Sequence, residues 1–210
     1  MSKKVLIVGA GFAYAMMFEQ RGWDVVASLK DADLVQFLGG SDVSPNYYGE
    51  DKHPYTHCDT ARDVQEVDIF NAAVKLGIPI AGICRGGQFV HVMNGGKLWQ
   101  HVDGHGIAQG HEALCNLSGD RVLVTSTHHQ MMVGNVGEII LEAVDTAHTF
   151  KERVEGSEVV RYSGNKHPEV EAVYHKDTNS LSFQPHPEMC RKDSGCQDIY
   201  FEYLEKLLGV

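Results

Sequence analysis

Residues 78–88 read Ile78-Pro79-Ile80-Ala81-Gly82-Ile83-Cys84-Arg85-Gly86-Gly87-Gln88. The apolar first half predicts a short buried strand, and the segment then turns through small residues into an apolar helix. The G-x-C-x-G spacing is typical of a nucleophile elbow, in which Gly82 and Gly86 leave room for a strained turn that projects Cys84. The helix N-terminus behind the sulfur favours a thiolate, and the amide of Arg85 is a candidate oxyanion donor. A buried structural cysteine before a turn is the alternative interpretation.

Composition places the chain among ordinary globular proteins, with 210 residues, 43% hydrophobic and 22% charged. This length fits one α/β domain over residues 1–210, or two very small ones. A formal net charge of −10 argues against nucleic acid and membrane surfaces as partners, because both require a basic face. The five cysteines are odd in number and scattered, which indicates a reducing compartment and predicts a cytoplasmic protein.

The N-terminal segment imitates a signal peptide, because two lysines precede an apolar run. Gly9 and Gly11 interrupt that run, which favours a strand, a tight turn and a helix. The same glycines resemble the start of a dinucleotide-binding fingerprint, but Tyr14 stands where G-x-G-x-x-G requires its last glycine. We therefore expect a plain βα turn here.

Strand and helix patterns continue to alternate along the first half of the chain. Strands are expected at residues 24–28 and 33–38, and a helix begins at Thr60, stops at Gly77 and is followed by the elbow. This order predicts an α/β fold with a doubly wound parallel sheet. The later segments that read as strands are residues 121–126, 138–144, 169–176 and 181–184.

A loop that begins with Gly39 and Gly40 follows the third expected strand. Glycine at the carboxyl end of a parallel strand lets a backbone N–H approach a ligand closely, so Gly40 is a candidate second oxyanion donor. An ordinary turn glycine explains the pattern equally well. Farther along the loop, Tyr47 and Tyr48 either wall a substrate pocket or cover the edge of the core.

Histidines are frequent between residues 101 and 119, where the pattern is that of a loop. Their spacing fits no helix or hairpin ligand pattern, and no cysteine pair accompanies them. Solvated loop histidines are therefore expected, and no metal or cofactor is predicted. The histidines concerned are His101, His105 and His111.

A thiol nucleophile needs a neighbouring base, which a third group usually orients. Two identical triplets compete for this role, His167-Pro168-Glu169 and His186-Pro187-Glu188. The first follows a polar turn, whereas the second leaves the end of an apolar strand at the expected sheet edge. His186 is therefore the predicted general base and acid, and Glu188, turned back by the extended proline, is its orienting carboxylate. The alternative is a surface turn in which the histidine and the glutamate form an ion pair without a catalytic function.

The elbow, the glycine loop and the terminal His-Pro-Glu triplet, in this order, resemble the class I glutamine amidotransferase superfamily, nearest its γ-glutamyl hydrolase-like branch, peptidase C26. The resemblance spans residues 34–188. The further matching segments are Gly39–Glu50, Arg62–Glu66, Gly95–Gln100, Ser126–Gln130 and Gln184–Glu188. Two segments differ from the family's pattern. The N-terminal thirty residues are shorter and have fewer distinctive features than the usual N-terminal segment of the family, and residues 147–166 form a longer polar segment in place of a tight acidic turn.

The resemblance implies a three-layer α/β/α, flavodoxin-like fold with a mainly parallel sheet. It also implies a catalytic triad of Cys84, His186 and Glu188 that needs no cofactor. The residues expected to bind the glutamyl group are Gln88, Ser126, Thr127, His128, Gln130 and, from the glycine loop, Tyr48.

The activity implied is hydrolysis of a γ-glutamyl amide through a γ-glutamyl thioester on Cys84, with His186 protonating the leaving nitrogen and then activating water. The substrate is either a γ-glutamyl amine conjugate or glutamine. The alternative is a glutaminase component that supplies ammonia to a separate synthetase chain, and a third reading is a non-catalytic binding protein. The branch-like glycine loop favours the free-standing hydrolase. A synthetase chain and a second copy in a homodimer are the candidate protein partners.

Overall fold

A computed structural model describes residues 2–144, 150–163, 167–191 and 194–210, with the backbone alone at residues 107–109. The strands are β1 (Lys4–Val8), β2 (Asp24–Val26), β3 (Leu34–Phe37), β4 (Ile80–Ile83), β5 (Leu98–Trp99), β6 (His101–Val102), β7 (Gly106–Cys115), β8 (Arg121–Thr127), β9 (Met131–Met132), β10 (Glu138–Ala143), β11 (Phe150–Glu155), β12 (Glu158–Ser163), β13 (Val170–His175) and β14 (Ser180–Phe183). The helices are α1 (Phe12–Gln20), α2 (Thr60–Leu76), α3 (Arg85–Met93) and α4 (Cys196–Lys206).

The central sheet has the strand order β2-β1-β3-β4-β14-β13-β10-β7-β8. Strands β2, β1, β3, β4 and β14 are parallel, and an antiparallel extension begins at β13. The predicted doubly wound α/β fold is confirmed in this parallel part. In the register of β4 and β14, Ile83 lies opposite Phe183, so the residues that follow the two strands meet at one sheet edge.

Helices cover both faces of the sheet because each has one apolar face to bury. On one face, Phe18 of α1 and Tyr200 of α4 belong to the same buried cluster. On the other face, Phe70 of α2 and Phe89 of α3 pack edge-on against each other in a second cluster. The protein therefore has the predicted three layers, with the parallel strands between two apolar cores.

The prediction that residues 101–119 form a solvated loop was wrong. Ten of these residues form β7, which pairs with β8 on one side and β10 on the other. A register shift between Ile107 and His111, with Gly110 at a φ of 71°, hides the alternating pattern that identifies a strand. His105 is 1% exposed and is therefore a core residue.

A second, three-stranded sheet has the order β12-β11-β6 and is antiparallel. The longer polar segment at residues 147–166 contains the hairpin of β11 and β12. Residues 147–149 and 164–166 of this segment lie outside the described part of the chain. Among the described residues, no helix has both the length and the apolar character that crossing a membrane requires.

Candidate active site

Cys84 lies between β4 and α3 with φ 53° and ψ −115°, a conformation that non-glycine residues rarely adopt. The two flanking glycines explain how this turn packs. A Cβ at Gly82 would lie 2.1 Å from the carbonyl oxygen of Gly86, and a Cβ at Gly86 would lie 2.4 Å from the carbonyl oxygen of Phe37. Strand, turn and helix are therefore in backbone contact, and the sulfur is held at the carboxyl edge of the sheet.

His186 reaches the same edge from β14. Its Nδ1 lies 2.6 Å from Oε1 of Glu188, and both side chains are largely buried. A Cβ at Gly39 would lie 2.9 Å from Cε1 of His186 and 3.6 Å from Cβ of Cys84, so both side chains flank this glycine. The structure thus brings the three predicted triad residues together.

The charge state of His186 depends on its two neighbours. Burial alone would lower the pKa of this imidazole, but the sulfur of Cys84 and the carboxylate of Glu188 raise the pKa to about 10. The ring is therefore protonated at neutral pH. An imidazolium beside a cysteine favours a reactive thiolate, and the same ring can donate a proton to a leaving group.

Tyr14 is a site residue that sequence reasoning missed, because its position suggested only a broken dinucleotide motif. Its hydroxyl accepts a hydrogen bond from the N–H of Gly39 at 3.2 Å and lies 3.5 Å from Nδ1 of His186. Burial, together with the charge of Glu188, raises the pKa of Tyr14 well above its usual range. The phenol is therefore neutral and links the glycine loop to the histidine.

Arg62 fixes the orientation of the glycine loop. Its guanidinium donates to the carbonyl oxygens of Leu38 at 2.8 Å and Gly39 at 3.0 Å. Because the peptide between Gly39 and Gly40 is trans, its N–H points away from its carbonyl, and hence away from Arg62. The Gly40 amide is therefore directed to the opposite side of the loop, and Gly40 and Cys84 line the same cleft.

Arg85 has two separate functions in the architecture. Its amide is at the first position of α3, where no preceding turn offers an acceptor. Its buried guanidinium forms ion pairs with Asp63 and Glu66 of α2, and Glu66 also accepts from Arg62 at 2.7 Å. Burial lowers the pKa of Arg85 to about 10. The side chain thus anchors the start of α3, leaving the amide beside the sulfur.

A cleft of about 190 Å³ opens over Cys84. The predicted site residues that line it are Gly40, Cys84, Arg85, Gln88, Thr127, His128 and Gln130. The amide of Gln88 already donates to the carbonyl oxygen of Gln130 and to Oε1 of Gln184, each at 3.0 Å. Gln88 therefore supports the cleft wall through internal hydrogen bonds.

Two predicted substrate-binding residues are not part of this lining. Ser126 is 1% exposed, and its hydroxyl donates to the carbonyl oxygen of His105 at 2.6 Å. Tyr48 is buried in the apolar cluster that includes Phe37 and Phe89. The cleft instead contains Asp42 and His129, which sequence reasoning did not single out for substrate binding.

Asp42 and His129 form a partly exposed pair in the cleft. Nε2 of His129 lies 3.0 Å from Oδ1 of Asp42, and this hydrogen bond raises the pKa of His129. The other carboxylate oxygen accepts the N–H of His57 at 2.7 Å. One anionic and one titratable cationic group are therefore available close to the nucleophile.

A family model described as Peptidase C26 matches residues 3–188. A putative glutamine amidotransferase of Mycobacterium tuberculosis is 36% identical over 126 residues, which are 51% of this chain and 41% of that protein. The carbamoyl phosphate synthase small chain of Methanosarcina acetivorans is 28% identical over 133 residues, 63% of this chain and 31% of that protein. This chain thus aligns with less than half the length of either relative.

Solved structures support the fold. The crystal structure of a glutamine amidotransferase from Thermotoga maritima superimposes with a TM-score of 0.57 at 16% sequence identity. The superposition covers 100% of this chain and 90% of that one. The similarity therefore extends over the whole α/β/α architecture.

Proposed function

The chain belongs to the peptidase C26 family of class I glutamine amidotransferase-like proteins, and we propose that it hydrolyses a γ-glutamyl amide with Cys84 as the nucleophile. The observation that carries this proposal is the strained Cys84 backbone beside the hydrogen-bonded pair of His186 and Glu188. A structural cysteine needs neither the strained turn nor a buried, charged partner. A nucleophile held in an elbow uses both, the turn to project its sulfur and the partner to exchange a proton.

The first half of the reaction forms a thioester. The Cys84 thiolate attacks the δ-carbonyl carbon, and the amides of Gly40 and Arg85 donate to the resulting oxyanion. Loss of one such donor typically costs about 3 kcal/mol of transition-state stabilisation. As the tetrahedral intermediate collapses, the C–N bond breaks and His186 transfers its proton to the departing nitrogen, which leaves as an amine or ammonia.

The second half releases glutamate. Neutral His186 accepts a proton from water, and the hydroxide attacks the thioester carbonyl at the same oxyanion site. Collapse of this second intermediate breaks the C–S bond and regenerates the thiolate beside the imidazolium. Glu188 keeps the ring in one orientation throughout and stabilises its charged form, as the third member of a triad does.

The cleft residues suggest how the amino-acid end of the substrate is recognised. A γ-glutamyl group carries an ammonium and a carboxylate on its α-carbon. Asp42 offers a carboxylate to the ammonium, and protonated His129 offers a donor to the carboxylate. Backbone groups of Thr127 and Gln130, which also line the cleft, complete the set in this proposal.

A glutaminase that supplies ammonia to a separate synthetase is the second candidate. It is favoured by the similarity to the carbamoyl phosphate synthase small chain, whose name denotes one component of a larger enzyme. The two candidates share all chemical steps and differ in the leaving group and in the need for a partner chain.

Glutamate release by the purified chain distinguishes these functions. One tube receives L-glutamine and others receive a panel of γ-glutamyl amines, with Cys84→Ala as the inactive variant and Cys58→Ser as the matched cysteine control. Rapid release from one conjugate, lost in Cys84→Ala and retained in Cys58→Ser, supports the hydrolase. No release from any tube by folded protein, with Cys84 still readily alkylated by iodoacetamide, supports the glutaminase component. Full turnover by Cys84→Ala refutes both.

A further inference from the structure

Three buried side chains from separate elements converge behind the cleft wall. His105 precedes β7, His128 follows β8, and Glu171 lies on β13. Their exposed fractions are 1%, 6% and 0%. One ligand-competent atom from each residue lies within 4.8 Å of those of the other two. Below, these three residues are called the His-His-Glu cluster.

Each member of the cluster has a buried polar atom without a hydrogen-bond partner in the described part of the chain. The atoms are Nδ1 of His105, Nε2 of His128 and Oε2 of Glu171. Burying a polar atom without a partner costs about 1–3 kcal/mol by mutational data. The two ring nitrogens both face Oε1 of Glu171, at 3.7 and 3.8 Å, which is too far for a hydrogen bond, so a ligand placed between these atoms would satisfy both rings.

The protonation of both rings follows from their other nitrogens. Nε2 of His105 lies 2.8 Å from a carboxylate oxygen of Glu169, and Nδ1 of His128 lies 2.9 Å from the carbonyl oxygen of Gln130. The carbonyl oxygen of Gln130 can only accept a hydrogen bond, and so can the carboxylate of Glu169 in its ionised form, which Lys151 faces at 3.6 Å. These two nitrogens therefore carry the protons. Nδ1 of His105 and Nε2 of His128 then present lone pairs. Histidines that bind metals are oriented in this way, with the second nitrogen donating to a carboxylate or a backbone carbonyl.

The distances within the cluster fit a small cation. Oε1 of Glu171 lies 3.7 Å from Nδ1 of His105 and 3.8 Å from Nε2 of His128. Ligands bonded at about 2.0–2.1 Å in a tetrahedral zinc site are roughly 3.3 Å apart. A contraction of about half an ångström would bring the carboxylate oxygen to this spacing from both rings, and the two ring nitrogens, which lie within 4.8 Å of each other, would also move closer together. Nε2 of His111 lies 3.0 Å from the same carboxylate oxygen and holds this carboxylate in place by a hydrogen bond.

We propose that His105, His128 and Glu171 bind one divalent transition-metal ion of the zinc type. Two imidazoles and a carboxylate suit Zn²⁺ or Co²⁺, whereas Mg²⁺ and Ca²⁺ prefer sites made of oxygen. The alternative occupant is a proton shared within the cluster, which would satisfy one lone pair and leave the other unpaired.

A metal ion in the His-His-Glu cluster would affect the cleft through residues that connect the two. His128 belongs both to the cluster and to the cleft lining, and Ser126 is tied to the carbonyl oxygen of His105. A bound ion would therefore connect the turn at residues 127–130 with β7 and β13. This structural function is separate from the cysteine chemistry, which needs no metal.

Metal binding can be measured on the full chain after chelator treatment and dialysis, by titrating Zn²⁺ against a chromophoric chelator. We expect about one tightly bound equivalent in the native chain, as a single site of this ligand set would hold. Affinity should fall about 10- to 100-fold in Glu169→Gln, which acts through His105, and by more in Glu171→Gln. His175→Gln, which removes a buried histidine outside the cluster, should bind as the native chain does.

Two further measurements test whether the ion is bound at the His-His-Glu cluster. Cys84→Ala should bind Zn²⁺ unchanged, because a loss of binding there would place the ion at the active-site thiol and overturn the proposal. If Glu171→Gln does not fold, the spectrum of Co²⁺ in the native chain decides: d–d bands without thiolate charge transfer support the cluster, and a thiolate band refutes it. Absence of tight binding by the folded native chain, or equal binding by folded Glu171→Gln, also overturns the proposal.

Discussion

Replacement of Arg62 tests whether the glycine loop stabilises the oxyanion. Arg62 is the only donor described here that reaches the carbonyl oxygens of both Leu38 and Gly39, and its third bond is to Glu66. Arg62→Ala removes all three bonds. Arg62→Lys keeps the charge but replaces the planar guanidinium fork with a compact ammonium, so the geometry of the two hydrogen bonds to the loop is not reproduced. In either variant the peptide that presents the Gly40 amide is held less rigidly than in the native chain.

The expected fall in kcat is smaller than complete removal of an oxyanion donor would cause. Complete removal of one oxyanion donor costs about 2.7–4 kcal/mol, or 10²- to 10³-fold in kcat. The loop keeps one tether, the hydrogen bond from Gly39 N–H to Tyr14 at 3.2 Å, so the donor is misplaced for only part of the time. We therefore expect kcat to fall about 10- to 100-fold in Arg62→Ala, which corresponds to about 1.4–2.7 kcal/mol. KM should change less, because the oxyanion forms only after binding.

The assay combines steady-state hydrolysis of the preferred γ-glutamyl substrate with the rate of Cys84 alkylation by iodoacetamide. Alkylation needs a thiolate but no oxyanion site, so it should stay within about 2-fold of the native rate. Arg21→Ala, which removes an arginine from an exposed ion pair with Asp198, is the matched control and should retain activity. Native kcat in Arg62→Ala, or an equal fall in alkylation and turnover, would refute the assignment of Gly40 as a donor held by Arg62.

Three other perturbations give separate outcomes. Tyr14→Phe leaves the Gly39 amide without its acceptor and should lower kcat about 10-fold, as loss of one hydrogen bond of about 1.4 kcal/mol implies; a change confined to KM would contradict this. His186 has a pKa of about 10, so activity that depends on the imidazolium should fall as pH rises through about 10. Glu188→Gln removes one of the groups that raise this pKa and should move the alkaline limb of the kcat/KM profile to lower pH, whereas an identical limb would exclude the assignment. Gly82→Ala places a Cβ 2.1 Å from a backbone oxygen and should lower the free energy of unfolding by about 3 kcal/mol. Its control is Gly106→Ala, which has no atom within 4 Å of the new Cβ and should change this free energy by less than about 0.5 kcal/mol. Equal denaturation midpoints for the two variants would disprove the steric argument.

Sequence reasoning succeeded where a short local pattern determines the structure. The spacing of Gly82, Cys84 and Gly86 predicted a strand, a strained turn and a helix, and all three are present. The choice of His186 over His167 depended on which triplet leaves an apolar strand, and β14 does lie parallel to the elbow strand. These features could be predicted because steric demands on adjacent residues leave few alternatives.

Residues whose environment depends on distant parts of the chain were not recognised. Tyr14 is 172 positions from its histidine neighbour, and no local pattern distinguishes it from an ordinary helix residue. The bulged strand β7 was read as a loop because its register shift breaks the alternation of apolar and polar residues. The histidines in and beside this strand consequently looked solvated, although His105 is 1% exposed and His111 is hydrogen-bonded to the buried Glu171.

The position of the base itself depends on the antiparallel extension as much as on the parallel sheet. The N–H of His186 donates to Oγ1 of Thr125 at 2.6 Å, and the next residue, Ser126, donates to the carbonyl oxygen of His105 at 2.6 Å. A displacement at His105 therefore reaches the backbone of the base through two hydrogen bonds and one peptide unit. The elbow at Cys84 is instead held by glycine contacts within the parallel part of the sheet. The nucleophile is thus held within the parallel part of the sheet, whereas the base, which follows the parallel strand β14, is also tied to the antiparallel extension through Thr125.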